Sequence, residues 1–182
     1  MSIWAQTSVK VDLSKSIVKW EGAKVTGSTH NGSVALQSGK LIHKNGLISG
    51  GEFVIDMNSI TNADVENVDY NKKLVNHLKG EDFFDVAKYP TATLVITKVA
   101  KAKNQHLASH VLTVNLTIKG VTQSMKIPAK VTYANGKVTA TSSFTVDRSL
   151  FGVKYGSETF FGSLGDKAIK NDMKFDVAIV AE

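Results

Sequence analysis

Polar and apolar residues alternate along most of this chain with a period of two. Leu112, Val114, Leu116 and Ile118 alternate with Thr113, Asn115, Thr117 and Lys119. Met125, Ile127, Ala129, Val131 and Tyr133 alternate with Lys126, Pro128, Lys130 and Thr132, and Val138, Ala140, Ser142, Phe144 and Val146 with Thr139, Thr141, Ser143 and Thr145. The same rhythm returns at Met173, Phe175, Val177 and Ile179. A strand turns successive side chains to opposite faces, so this pattern predicts antiparallel strands with one dry face and one wet face. The turn residues agree. Asn-Gly occurs at 31–32, 45–46 and 135–136, and the last two separate strand-like runs, the strongest short hairpin signal. Lys119-Gly120 marks another tight reversal. Taken in order, the hairpins predict strands near 16–25, 33–43, 46–57, 92–103, 106–119, 122–134, 137–148 and 171–181. The expected fold is all-β, an eight-stranded antiparallel up-and-down barrel whose interior either fills with side chains or holds one small ligand.

Two segments break the rhythm, 58–91 and 149–170. In the first, Asn71–Leu78 reads as a short amphipathic helix with Leu74 and Leu78 at i, i+4. Gly80 is expected to end it by taking φ > 0. Phe83 and Phe84 then stand together among acids, and two large rings in such a loop are expected to fold back on the core as a plug. Tyr89-Pro90 enforces extended backbone before the next strand. The second break carries Leu150, Phe151, Tyr155, Phe160 and Phe161 among glycines and is expected to pack on a barrel rim.

Composition narrows the function classes. At 182 residues the chain is most simply one domain, residues 1–182, with enough core to need no staples. It has no cysteine, which excludes disulfides, thiolate metal sites and a cysteine nucleophile. No apolar run is long enough to span a membrane as a helix. The formal charge is +6, but the lysines are spread out and Arg148 is the only arginine. A nucleic-acid binder concentrates its cations on one face, so no nucleic-acid partner is expected. The start, Met1-Ser-Ile-Trp-Ala-Gln-Thr, lacks the charged and apolar regions of a signal peptide, and Trp4-Ala5-Gln6 reads as the remnant of a cleavage site.

Catalytic patterns are missing: there is no G-x-S-x-G, H-E-x-x-H, G-x-G-x-x-G or P-loop. His106 and His110 sit about 13 Å apart if both lie on a strand, too far to share a metal. No metal and no cofactor are expected. Arg148 ends an inward-alternating strand, where it either clamps a polar head group or forms a salt bridge with Asp147 or Glu158. The inward faces mix the small residues Gly51, Ala129, Ala140 and Ser142 with Phe53, Ile127 and Phe144. If small faces large the barrel is solid; if small faces small a tunnel remains.

The run H-L-x-x-x-x-F-F-D-V-x-x-Y-P-T from His77 resembles the signature of the YceI-like family of bacterial proteins. Trp20-x-Gly22 and Gly27-x-x-His30-x-Gly32 precede it, and Leu116–Thr122, Asp147-Arg148-x-x-Phe151-Gly152 and Gly165-Asp166 follow in order, so the resemblance spans about residues 9–181. It implies a lipocalin-like barrel that binds a polyisoprenoid-type lipid, of prenyl diphosphate or prenylquinone kind, as carrier, store or sequestering protein, and a periplasmic or secreted location. Trp20, Phe53, Ile55, Leu94, Ile96, Leu116, Ile118, Ile127, Phe144 and Val146 are the expected tail contacts. Phe83 and Phe84 would close one end, with His30, Arg148 and Phe151 near an opening. Expected partners are the lipid, a membrane surface in transient contact and a second copy in a homodimer. Two other readings stand beside this one: a solid-cored interaction or stress-related module, and an enzyme acting on prenyl diphosphates.

Overall fold

The computed structural model describes residues 7–44, 47–104, 106 and 108–182. Both Trp4-Ala5-Gln6 and the Asn45-Gly46 turn lie outside them.

Among the described residues nine strands form the fold: β1 (Thr7–Lys10), β2 (Ile17–Ala23), β3 (Thr29–Lys44), β4 (Leu47–Asp56), β5 (Thr91–Lys101), β6 (His110–Ile118), β7 (Val121–Ala134), β8 (Lys137–Asp147) and β9 (Asp172–Ala181). Eight of them, β2 to β9, close an antiparallel circuit, because β3 pairs with both β2 and β4. This is the barrel expected from the alternation. The ninth strand, β1, stands outside that circuit and pairs with Lys40–His43 of β3. Its four residues carry one apolar side chain, Val9, so it has no alternation to read. The hairpins at Lys119-Gly120 and Asn135-Gly136 turn with all four residues at positive φ, which fits type I′ geometry.

Two strands change partners midway. β3 pairs with β2 over Thr29–Val34 and with β4 from Ala35 onward. The gap this leaves beside its first half is covered by the chain after β4, where Thr61 and Ala63 donate backbone N–H bonds to Ser33 and Asn31. Gly32 permits the approach: a Cβ there would lie 1.9 Å from the Thr61 carbonyl oxygen. β7 pairs with β6 over Val121–Ala129 and with β8 only over Lys130–Ala134.

The helix α1 spans Val68–Lys79, three residues earlier than its apolar spacing predicts. Asn67 starts it, its side chain accepting from the N–H groups of Asp69 and Tyr70. Gly80 does end it, but with φ −69°, so the reason differs from a left-handed cap. A Cβ at Gly80 would crowd the carbonyl oxygens of His77 and Asn76 at 3.3 and 3.4 Å. The second break holds a single-turn helix, α2 (Glu158–Phe161), between two 3-10 turns.

Two apolar clusters sit at opposite ends of the barrel. Val11, Leu41, Ile48, Val138, Ile179 and Ala181 pack where the β3–β4 and β7–β8 hairpins meet the end of β9. Trp20, Met57, Ile60, Leu78, Phe83 and Phe84 pack at the other end, under α1 and the segment after it. The plug expected from Phe83 and Phe84 is therefore in place.

Candidate functional site: an apolar cavity inside the barrel

Between the two end clusters lies a cavity of about 160 Å³. Inward positions of β2 to β9 form its wall, the consequence of the period-two pattern on every strand. Ala129, Ala140 and Ser142 all face this one void. Small therefore faces small, and the core is not solid. Thr141 and Ser142 bring the only hydroxyls of the wall. The Ser142 hydroxyl donates to the Pro128 carbonyl at 2.5 Å, and the Trp20 indole N–H to the Thr61 carbonyl at 3.2 Å. With the Ser142 and Trp20 hydrogen bonds spent on backbone, the wall offers contact and, apart from the Thr141 hydroxyl, no directional chemistry. Among the described residues no group of three His, Asp or Glu side chains could hold a metal ion.

The structure brings Trp20, Phe53, Ile55, Phe84, Leu94, Ile96, Leu116, Ile118, Ile127, Phe144 and Val146 to the cavity wall. Phe84 is 8% exposed and meets Phe83 edge-on at 5.1 Å between ring centres. Replacing Phe84 with alanine is expected to cost about 3 kcal/mol in thermal or urea unfolding, since lost transfer energy and a residual cavity add. A loss below 1 kcal/mol would mean the ring does not seal the barrel.

Four expected site residues lie elsewhere. Phe83 is buried behind Phe84 and does not reach the void. Phe151 is buried against Leu116 and Val146, bridging β6 and β8 from outside the cavity wall. His30 is on the outside of β3, where its Nδ1 lies 2.8 Å from Asp64. Burial pushes the Asp64 carboxyl up, but hydrogen bonds from the Asn31 N–H, His30 and Asn62 outweigh it and hold its pKa below the usual range. A carboxyl lowered on folding stabilises above its unfolded pKa of about 4 and loses that contribution as pH falls. In Asp64→Asn, the melting temperature is therefore expected to drop at pH 6 and to converge on the parent value at low pH.

Arg148 departs furthest from expectation. It is 1% exposed, and its Nε, Nη1 and Nη2 donate to the carbonyls of Lys170, Val153 and Ile169 at 3.0–3.1 Å. Its guanidinium also lies 5.3 Å from the Phe83 ring centre. Neither the head-group clamp nor the salt bridge to Asp147 or Glu158 is formed: Asp147 accepts from Ser149, and Glu158 from the Leu164 N–H. Arg148 ties the aromatic-rich segment to the start of β9, and the fork shape of its side chain is used on main-chain oxygens.

Sequence reasoning missed much of the remaining wall, including Val18, Val34, Leu36, Met57, Met173 and Phe175. For all but Met57, which sits in the 3-10 turn after β4, the signal was present in the alternation of β2, β3 and β9. What it lacked was a way to distinguish inward residues that line the void from those that fill the ends.

The family model of the YceI-like domain matches residues 9–181. The chain belongs to the YceI-like domain family. Solved structures share its fold. BcnA of Burkholderia cenocepacia superposes with a TM-score of 0.72 at 22% identity, covering 94% of this chain and 99% of its own. A polyisoprenoid-binding domain from Saccharophagus degradans, implicated in plant cell wall breakdown, gives 0.67 at 15% identity, covering 98% of each chain. The YceI protein of Campylobacter jejuni gives 0.55 at 23%, covering 75% of this chain and 74% of its own. A search of the curated proteins found no match. At these identities the superpositions speak for the fold, and membership of the YceI-like family rests on the family model.

Proposed function

We propose that this YceI-like protein binds a long-chain polyisoprenoid, or a similar amphipathic lipid, in its barrel as a carrier, storage or sequestering protein. The observation that carries the proposal is the cavity inside the barrel with its hydrocarbon wall. Such a wall gains affinity from buried apolar area, about 25 cal/mol per Å², and rejects groups that need hydrogen bonds. It suits a prenyl tail and offers no acid, base or nucleophile for turnover, so binding rather than catalysis is the reading. The relative from Saccharophagus degradans, described as polyisoprenoid-binding, supports it. The proposal extends to a periplasmic or secreted location, which cell fractionation checks, and to a homodimer, which sedimentation velocity checks. It also includes transient contact with membranes through exposed Leu150, Tyr155, Phe160 and Phe161, with Lys154 above the Phe160 ring. Flotation with anionic and neutral vesicles measures that contact. Native mass spectrometry of purified protein, followed by organic extraction, tests the central claim. Protein that is always ligand-free and takes up no prenyl lipid overturns it.

A further inference from the structure

Both ends of the barrel are closed by packed side chains, yet its side is not closed by backbone pairing. β8 pairs with β9 along Val138–Asp147, but with β7 only over Thr141 to Lys137. Val121–Ala129 of β7 pairs with β6 alone. Between Val121–Ala129 and Ser142–Asp147 no ladder is made. Two side-chain bonds span the gap: Ser142 Oγ to the Pro128 carbonyl at 2.5 Å and Gln123 Nε2 to the Leu150 carbonyl at 3.1 Å. At its lower end Phe151 packs over Leu116 and Val146. Inside it stand Met125 and Phe144, both only half-buried and able to change rotamer without breaking a backbone bond.

On the outer face, where β7 and β8 part, lies a groove of about 470 Å³. Ala129, Thr141, Ser142 and Val177 line both this groove and the internal cavity. The two spaces therefore share a wall at the break in pairing. The groove is also polar where the cavity is not: Lys19, Lys130, Ser143 and Asp176 line it. Asp176 is paired with Lys174 at 3.1 Å, whereas Lys130 has no carboxylate within ion-pair distance among the described residues.

We infer that the slit between β7 and β8 is the passage by which a lipid tail enters the cavity, and that the groove outside it seats the lipid's polar head. This rests on the lipid-binding reading above. A tail admitted through either end would have to displace a buried cluster, Trp20, Leu78 and Phe84 at one end or Leu41, Ile48 and Ile179 at the other. Through the slit it displaces two half-buried side chains and at most the two side-chain hydrogen bonds that span it. The ligand class this selects is a lipid with a single long tail and a compact oxygen-rich head, since the cavity wall has, beyond the Thr141 hydroxyl, no polar partner to spare for the head.

The chain has no cysteine, so one introduced thiol can be labelled cleanly. Ser143→Cys places it on the exposed outer face of β8 at the groove, and Thr145→Cys is a second variant at the next outward position. Glu52→Cys, exposed on β4, is the control. Each is made in a Trp4→Phe background, so that Trp20 is the sole tryptophan, and coupled to a bulky maleimide; uptake and release of a polyprenyl alcohol are followed by the fluorescence of Trp20. A label at Thr145, outside the groove lining, is expected to slow uptake and release alike by about tenfold or more while leaving equilibrium affinity nearly unchanged, because a blocked passage alters both rates together; a label at Ser143, inside the head-group groove, is expected to slow uptake and to weaken affinity as well. The Glu52 label is expected to leave all three as in the parent. Parent-like rates in both slit-labelled variants overturn the passage, and so does loss of equilibrium affinity with rates of uptake unchanged. Unlabelled parent that takes up no lipid brings down the binding reading itself, an outcome visible before any label is attached.

Discussion

Replacing Arg148 with alanine is expected to lower stability by roughly 3 kcal/mol or more, while the folded fraction keeps its affinity for a prenyl lipid. The three carbonyls of Val153, Ile169 and Lys170 would lose their donors, the first in a fully buried bond and the other two in partly buried ones. Each stranded acceptor costs about 1–3 kcal/mol, partly offset because a buried cation is removed as well. Burial already lowers the pKa of this guanidinium, and Asp147 next to it raises it, so the charge is held at some cost. For a protein of this length the melting temperature should fall on the order of 10 °C. Arg148→Lys should recover only part of the loss, since an ammonium cannot reach three carbonyls with a planar fork. Thermal melts and lipid titration on the same samples decide the matter. A variant with parent stability and weakened preference for a polar head would restore the clamp reading.

The arginine also shows why some of the site could not be read from the sequence. Alternation along β6, β7, β8 and β9 announces which face is dry, because each strand packs on one side and is wetted on the other. The Lys119-Gly120 and Asn135-Gly136 hairpins announce themselves through the positive φ that both residues adopt. These are local signals, and the barrel follows from them. The partners of Arg148 are main-chain oxygens 5, 21 and 22 residues away, and any side chain may surround a carbonyl. The helix start at Val68 was legible in principle, in Asn67 followed by Asp69, but the apolar spacing of Leu74 and Leu78 drew the boundary inward. The partner change of β7 leaves no mark either. Its alternation continues unbroken from Met125 to Tyr133 while its neighbour on one side is lost, because the pattern records which face is dry and not which edge is paired. The mixture of Ala129, Ala140 and Ser142 with larger residues was visible, and only the closed barrel shows that these small positions share one space.

That shared space makes a sharper test than any deletion. Ala140 sits on β8 opposite Val131 on one side and Ile179 on the other, with its methyl toward the cavity. In a filled core, Ala140→Phe would force its neighbours aside and cost about 1–3 kcal/mol. Here the ring has a void to enter, so stability is expected to stay within about 1 kcal/mol of the parent as new apolar contact offsets any strain. The ring then occupies volume the lipid tail would use. If it displaces roughly 100 Å² of tail contact, the loss is about 2.5 kcal/mol, or about 60-fold in affinity. A fold left standing with its binding removed is a result that neither a solid-cored module nor a surface lipid site can produce. Urea unfolding and titration with a polyprenyl alcohol measure the two quantities. Destabilisation by about 1–3 kcal/mol with affinity intact would mean that the interior behaves as a packed core and that the lipid, if bound, lies elsewhere.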